Sequence, residues 1–466
     1  MKIKKILALG LVLALALGLL AGCTTKDDPA VNSPDAVTDQ PKTDAPDDST
    51  PTPATLEGVT LKVAAIETAY GAQMWQDVCK AFEEETGATV ELTTEANLEA
   101  VLDPQIQAGN VPDVIHLATG REAAMTEQFI NNKLLADLTD VLDMTVPGET
   151  AKVSDKIVDG FTDTSVTNPY GDGHTYLAPM FYSPCGLFYN AGLLEQKGWA
   201  LPTTWDEMWA LGETAKAEGI YLFTYPTTGY FDAFLYALMY SVGGPDFYNK
   251  ALAYEEGIWD TEAGQQCFDI VAKLAEYTNP KTPSQANDAD FTKNQQLVLD
   301  NEAIFMPNGT WIVGEMAEAT RADGFKWGMC PLPAATAGGN GASYCWLEQA
   351  WIPSSAANVD AAKQFVAFLY SDKACEIFAK SGAIQPVAGQ TDNLEGDNKM
   401  FYSIYDNGAS AAMGSFAAVN SEAGLPSLRE AYLDPVNGLV AGTTTKDQWI
   451  AAVKAANDDF RAAKVG

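Results

Sequence analysis

The chain has only two histidines in 466 residues, His116 and His174, and neither stands at metal-ligand spacing from a second histidine or a cysteine. That leaves too few ligands for a catalytic zinc of the usual kind. G-x-S-x-G, H-E-x-x-H and Walker A sequences are also missing, which removes the familiar signatures of serine hydrolases, zincins and nucleotide-phosphate binders. Basic residues are scarce: 28 Lys and Arg stand against 62 Asp and Glu, a formal charge of −34. Nucleic acid and anionic membrane surfaces both need basic patches, so neither is expected to bind this surface. No C-x-x-C occurs. Cys23 aside, Cys79, Cys185, Cys267, Cys330, Cys345 and Cys375 are widely spaced and are expected to be mostly buried free thiols. The acidic stretches 155–163 and 287–290 lack the spacing and glycine of an EF-hand and read as solvated faces. No cofactor or metal is implied. Paired carboxylates for glycoside cleavage leave no local signature and stay open.

What is present begins at the N-terminus. Lys2, Lys4 and Lys5 precede an apolar run from Ile6 to Leu20, too short and too near the start for a typical spanning helix, and so a signal peptide over 1–22. Leu20-Ala21-Gly22-Cys23 resembles the bacterial lipoprotein signal, which implies lipidation of Cys23. Residues 23–57 then run through Thr, Asp, Pro, Ser and Ala with almost no large apolar side chain, a composition that reads as a disordered tether. The expected location is the extracellular face of the bacterial cell membrane, or the periplasm if an outer membrane is present. No later segment is long and apolar enough to span a bilayer.

The remaining ~410 residues exceed what one core usually organises, so two domains are expected. Val59 to Ile66 reads as a buried strand. A helix with Met74, Trp75, Val78, Cys79 and Phe82 on one face follows and closes at Gly87. A strand over Thr89–Thr93, a stripe around Leu98 to Ile106 and a strand over Asp113–Ala118 complete a β-α-β-α-β order, hence an α/β fold with a parallel sheet. Ligands of such sheets sit beyond the carboxyl ends of the strands. Thr204-x-x-Glu207 and Thr445-x-x-Gln448 are capping boxes that open helices. Further helices are expected at Gly264–Tyr277, Asp360–Tyr370 and Lys373–Lys380.

These segments resemble, in order and spacing, the extracellular solute-binding proteins of carbohydrate ABC transporters, the group that includes maltose-binding protein. The resemblance is carried by Val111-Pro112-Asp113-Val114-Ile115, by Pro179 to Asn190 as a crossing strand, and by Pro202-Thr203-Thr204-Trp205-Asp206-Glu207. Asn301 to Trp311 and Asp360 to Tyr370 complete it. It implies a type II periplasmic-binding fold with a ligand cleft between two lobes joined by hinge strands. Lobe 1 would take 58–180 and 331–381, and lobe 2 would take 181–330 and 382–466. It further implies that Trp311, Tyr230 and Tyr432 supply aromatic faces and Arg121 a polar contact. Leu117 and Gly120 stand where maltose-binding protein presents a tryptophan and a carboxylate, which argues against maltose itself. The fragments Ile115 to Arg121 and Thr224-Tyr225-Pro226 resemble the N-acetylglucosamine and chitobiose-binding branch.

The chemistry of a sugar explains why such residues are wanted. A pyranose offers a C–H face to flat aromatics and a rim of hydroxyls to side chains that serve two neighbours at once. Aromatics beside Gly, Pro and Asn in loops are the better candidates. Tyr70, Tyr182, Tyr230, Trp311 and Trp346 fit that description, with Glu67, Asn308 and Glu348 as polar companions. Trp205, Trp209 and Trp327 read instead as core. The expected function is therefore capture of a mono- or oligosaccharide, amino sugars included, for delivery to ABC permease subunits, without enzymatic turnover. A surface glycosidase, or a binder of peptide or another solute on the same fold, is the alternative.

Overall fold

The computed structural model describes residues 55–464 apart from 69, 122, 159, 163, 288, 337, 406, 418, 421 and 422. The signal peptide, Cys23 and nearly all of the tether lie outside the described residues.

Nine strands form one mixed sheet among these residues: β1 Thr60–Ile66, β2 Thr89–Glu95, β3 Val114–His116, β4 Ala178–Asn190, β5 Tyr221–Phe223, β6 Ala303–Gly309, β7 Trp327–Cys330, β8 Ala342–Trp351 and β9 Ser410–Ala412. The main path runs β2-β1-β3-β8-β4-β6-β5, with β7 on β4 and β9 on β8. β1 pairs parallel with both β2 and β3, the outcome of the β-α-β-α-β order. β8 then pairs antiparallel with β3 and with β4.

The 13-residue β4 is buried along its whole length, as a strand covered on both faces should be. It is the expected crossing strand, unbroken from Ala178 to Asn190. Its first part packs Met180, Phe181 and Tyr182 into a core with Val63, Trp75, Phe82 and Phe365. Cys185, Leu187 and Tyr189 pack into a second core with Trp205, Phe234, Tyr248 and Phe460. β8 divides in the same manner, with Ala342 and Tyr344 in the second core and Cys345, Leu347 and Ala350 in the first. Leu332 packs in the second core, and the Ala334 N–H donates to the Thr203 carbonyl at 2.9 Å. Ile384 and Val387 belong to the first core.

The helices follow their local signals. The helix Gln73–Thr86 ends where Gly87 takes φ 76° and donates its N–H to the Glu83 carbonyl at 2.9 Å, a left-handed stop that costs glycine little. Both capping boxes are formed, opening Trp205–Ala217 and Lys446–Ala463. Asp113 of the Pro-Asp motif is almost fully buried, its carboxylate accepting the Lys62 and Asn358 backbone N–H groups, each at 2.9 Å. The motif thus ties β1 to the helix Val359–Phe368.

All six cysteines outside the N-terminal segment are buried and unpaired. Burial pushes the thiols of Cys79 and Cys375 up to about 12, which makes them inert near neutral pH. No described helix is long and apolar enough to cross a membrane.

Candidate functional site

Where the two large cores approach each other, a cavity of about 880 Å³ opens, within the range of small-molecule sites. Its floor is the middle of the sheet, with Ser183 and Cys185 from β4, Tyr344, Trp346 and Glu348 from β8, and Asn308 at the end of β6. The side walls come from the turn Thr310–Trp311, from the loop Thr227–Tyr230, and from Thr68 and Tyr70 just past β1.

The Trp311 turn is shaped by a glycine. A Cβ placed on Gly309 would lie 2.1 Å from the six-membered ring of Trp311, so the indole rests directly on the strand's backbone. The Tyr230 ring lies 6.1 Å from that of Trp311 at an interplanar angle of 26°. Tyr230 donates its hydroxyl to Glu315 Oε1 at 2.5 Å. Burial and then the neighbouring Glu315 carboxylate push the phenol above its ordinary range, so it stays a protonated donor.

The floor and the Tyr70 side are differently made. The Tyr70 and Ser183 hydroxyls stand 3.4 Å apart. Glu348 is 9% exposed, and its Oε2 has no aligned hydrogen bond, although His116 Nε2 lies 3.2 Å away. His116 is buried behind it against Trp75 and Phe181, with ring centroids at 4.8 and 5.2 Å. On the floor, Asn308 is 1% exposed and its Nδ2 has no partner. Buried polar atoms without partners are few in folded proteins. Asn308 and Glu348 both line the cavity, where a carboxylate acceptor and an amide suit a ligand rich in hydroxyls.

Of the ten residues singled out from the sequence, the cavity brings together Tyr70, Tyr230, Asn308, Trp311, Trp346 and Glu348. Four others are placed elsewhere. Tyr432 is 1% exposed in the second core, donating to Asn457 Oδ1 at 3.1 Å and packed edge-on against Trp259. Tyr182 belongs to the first core, edge-on to Tyr402 at 5.0 Å. The alternation of β4 explains this, since Ser183 and Cys185 take the cavity side. Arg121 forms a two-pronged ion pair with the buried Glu99, whose carboxyl burial alone would raise but which Arg121 holds below its usual range. Glu67 is exposed and donates only its backbone N–H, to the Glu95 carbonyl.

Sequence reasoning missed Asp232, Glu315, Tyr344, Tyr402 and Arg429, which also line the cavity. Asp232 follows Tyr230 by two residues and was within reach of the same loop argument. Burial pushes its carboxyl up to about 7, with the Ala233 N–H and the Arg429 charge pulling the other way. Arg429 stands in the π-helix Arg429–Leu433, its Nε donating to Thr228 Oγ1 at 3.0 Å. Nothing in the local sequence marks Tyr402 or Arg429.

The sequence matches the family model described as bacterial extracellular solute-binding protein over residues 64–374. That span is most of the folded part. The chain belongs to this family. The diacetylchitobiose binding protein of Streptomyces coelicolor is 25% identical to this solute-binding protein over 304 residues, 63% of this chain and 62% of that one. A probable sugar-binding periplasmic protein of Brucella suis is 28% identical over 155 residues, 33% of this chain and 36% of its own length. The solute-binding protein thus spans under two thirds of these curated relatives. Among solved structures, a bacterial solute receptor with an exclusive preference for β-D-galactopyranose superposes with a TM-score of 0.67 at 17% identity, over 86% of this chain and 98% of that one. A chitin oligosaccharide binding protein gives 0.62 at 19% identity, over 87% and 99%. The fold expected from the sequence, a periplasmic-binding-protein-like α/β architecture, is the observed one.

Proposed function

We propose that this solute-binding protein captures a carbohydrate in the cavity between its two cores and delivers it to the permease of an ABC importer. The observation that carries the reading is the pairing of an aromatic wall, Trp311 with Tyr230, with the polar side chains of Asn308 and Glu348 lining the same cavity. Stacking suits the C–H face of a pyranose, and an amide and a carboxylate suit its hydroxyl rim. The curated relatives named above support a sugar, and the Streptomyces coelicolor protein supports an amino-sugar oligosaccharide such as diacetylchitobiose.

The two cores would act as lobes that rock about β4 and β8. A sugar that touches both walls only in the closed form shifts the balance toward closure. Lipidation of Cys23 and the tether behind it would hold the folded part near the permease, and more than one acyl chain is needed for a firm anchor.

A thermal-shift screen of residues 56–466 against mono- and oligosaccharides tests this, because a ligand of the folded state alone must raise the melting temperature. A clear rise for one sugar class, without products on incubation, is the expected result. Silence across a panel that includes diacetylchitobiose, cellobiose, maltose and galactose would overturn it. Asp232, with its carboxyl at about 7 beside the cavity, gives the glycosidase reading its handle, since a general acid needs such a value. Product analysis therefore belongs in the same screen, and turnover would favour that reading.

A further inference from the structure

The cavity's aromatic wall is braced from behind. Tyr230 precedes the helix Phe231–Leu252, in a loop whose backbone bonds run from Tyr230 to Thr227, from Phe231 to Thr228 and from Asp232 to Gly229. Its ring packs against Phe291 at 5.9 Å and Trp311 at 6.1 Å, and the hydroxyl sets its rotation between them. Glu315, at the end of the short helix Ile312–Glu315 that follows Trp311, accepts that hydroxyl on Oε1 at 2.5 Å. Its other oxygen accepts the Gln295 amide at 2.6 Å, and Gln295 is fully buried on the helix Phe291–Leu299. Glu315 is itself exposed, so water competes for it, and the buried amide is what fixes its carboxylate in place. The chain of bonds therefore runs from a rigid helix, through a carboxylate, to the ring that faces Trp311 at 26°.

We propose that Glu315, set by Gln295, is a positioning residue that holds Tyr230 stacked against Trp311 and so fixes the aromatic wall that meets the ligand. This rests on the carbohydrate reading of the cavity for its consequence, but not for its geometry. Because Tyr230 spends its proton on Glu315, its hydroxyl can only accept from a ligand, and Glu315 contributes through Tyr230 and not by its own contact. A hydrogen bond with a charged acceptor is stronger than a neutral one, although exposure of the carboxylate trims that advantage.

The test is a double-mutant cycle on Glu315 and Tyr230, read by calorimetric titration with diacetylchitobiose and by near-ultraviolet circular dichroism. Glu315→Ala should weaken binding roughly 3- to 10-fold, the size expected for loss of one such bond. Tyr230→Phe, which keeps the ring and drops the hydroxyl, should weaken it by a similar factor. Adding Glu315→Ala to Tyr230→Phe should change nothing further, since the bond is already gone. Glu315→Gln should restore affinity to within about twofold, because Gln295 has an open Oε1 and can turn its amide to face the new one. The unliganded dichroism of Glu315→Ala should differ from the parent, and that difference should vanish in a Trp311→Phe background. Additive losses in the cycle would overturn the proposal by making Glu315 a direct contact. So would an unchanged dichroism spectrum in Glu315→Ala. If the parent binds no sugar at all, the carbohydrate reading fails, and the dichroism arm still decides whether Glu315 positions the ring.

Discussion

Two aromatic positions, the turn at Trp311 and the π-helix carrying Tyr432, look alike in sequence and serve opposite ends. Each is an aromatic residue that the family resemblance assigns to the ligand. Trp311 is half-buried, laid over Gly309, with one side of the cavity before it. Tyr432 is sealed in the second core, where Asn457 accepts its hydroxyl and the Trp259 indole N–H alike. The Trp449 indole closes the knot by donating to the Tyr432 carbonyl at 2.9 Å. What separates the two is the partner set. An aromatic whose polar atom is satisfied by buried side chains has nothing left to offer a ligand, whereas one perched on a glycine at a cavity edge has a face to give.

The sharpest way to break this comparison is to truncate Tyr432. Tyr432→Ala should cost roughly 3–5 kcal/mol of folding stability, as large aromatic-to-alanine changes in cores do. The fraction that remains folded should bind with parental affinity, measured by titration below the lowered transition. A selective loss of binding with stability intact would return Tyr432 to the site.

A smaller effect is expected on the other side. Trp311→Ala should weaken ligand binding by roughly 1–3 kcal/mol, the size typical of aromatic anchors, with the unliganded melting curve little moved. Gly309→Ala should imitate it without touching the indole, because the new methyl would occupy the place of the ring. Parental affinity for Gly309→Ala would mean that the ring's seat on the strand is not what orients it.

The smallest effect concerns the cavity's charge. Asp232 has its folded-state carboxyl raised to about 7, burial being the main cause. The unfolded chain ionises near 4 while the native state keeps its proton, so stability falls as pH rises between those values and levels off above. Asp232→Asn should remove that slope and gain on the order of 1–2 kcal/mol at pH 8 relative to the parent, the full shift being screened by the group's partial exposure to water. Urea denaturation at pH 5 and pH 8 would show it. Equal losses in both proteins over that interval would put the titration elsewhere.

Much of the scaffold was legible because its signals are local. The capping boxes at Thr204 and Thr445 set helix starts, Gly87 ended a helix, and the apolar run of β1 together with Pro112-Asp113 placed parallel strands. The cavity was legible where side chains follow strand ends, as Tyr70, Asn308 and Trp311 do. It was not legible where long-range packing decides. Tyr182 and Ser183 are neighbours on β4, and only the pleat sends one to the core and the other to the cavity. Arg429 and Tyr432, three residues apart, would share a face in an α-helix, yet the wider π-turn sends the guanidinium to the cavity and the phenol to the core. Arg121 is expected from the resemblance to contact the ligand, but the buried Glu99 claims it from a helix 22 residues earlier. No sequence pattern announces that partnership.

The most direct test of the central claim is a paired calorimetric titration of the parent and Trp311→Ala with the sugar that gives the largest thermal shift, each preceded by a melting curve without ligand. An affinity at least roughly fivefold weaker in Trp311→Ala, with the two unliganded melting curves alike, is the result the account predicts. Equal affinities would contradict it by removing Trp311 from the ligand, and a variant that melts far below the parent would contradict it by making Trp311 a core residue like Tyr432.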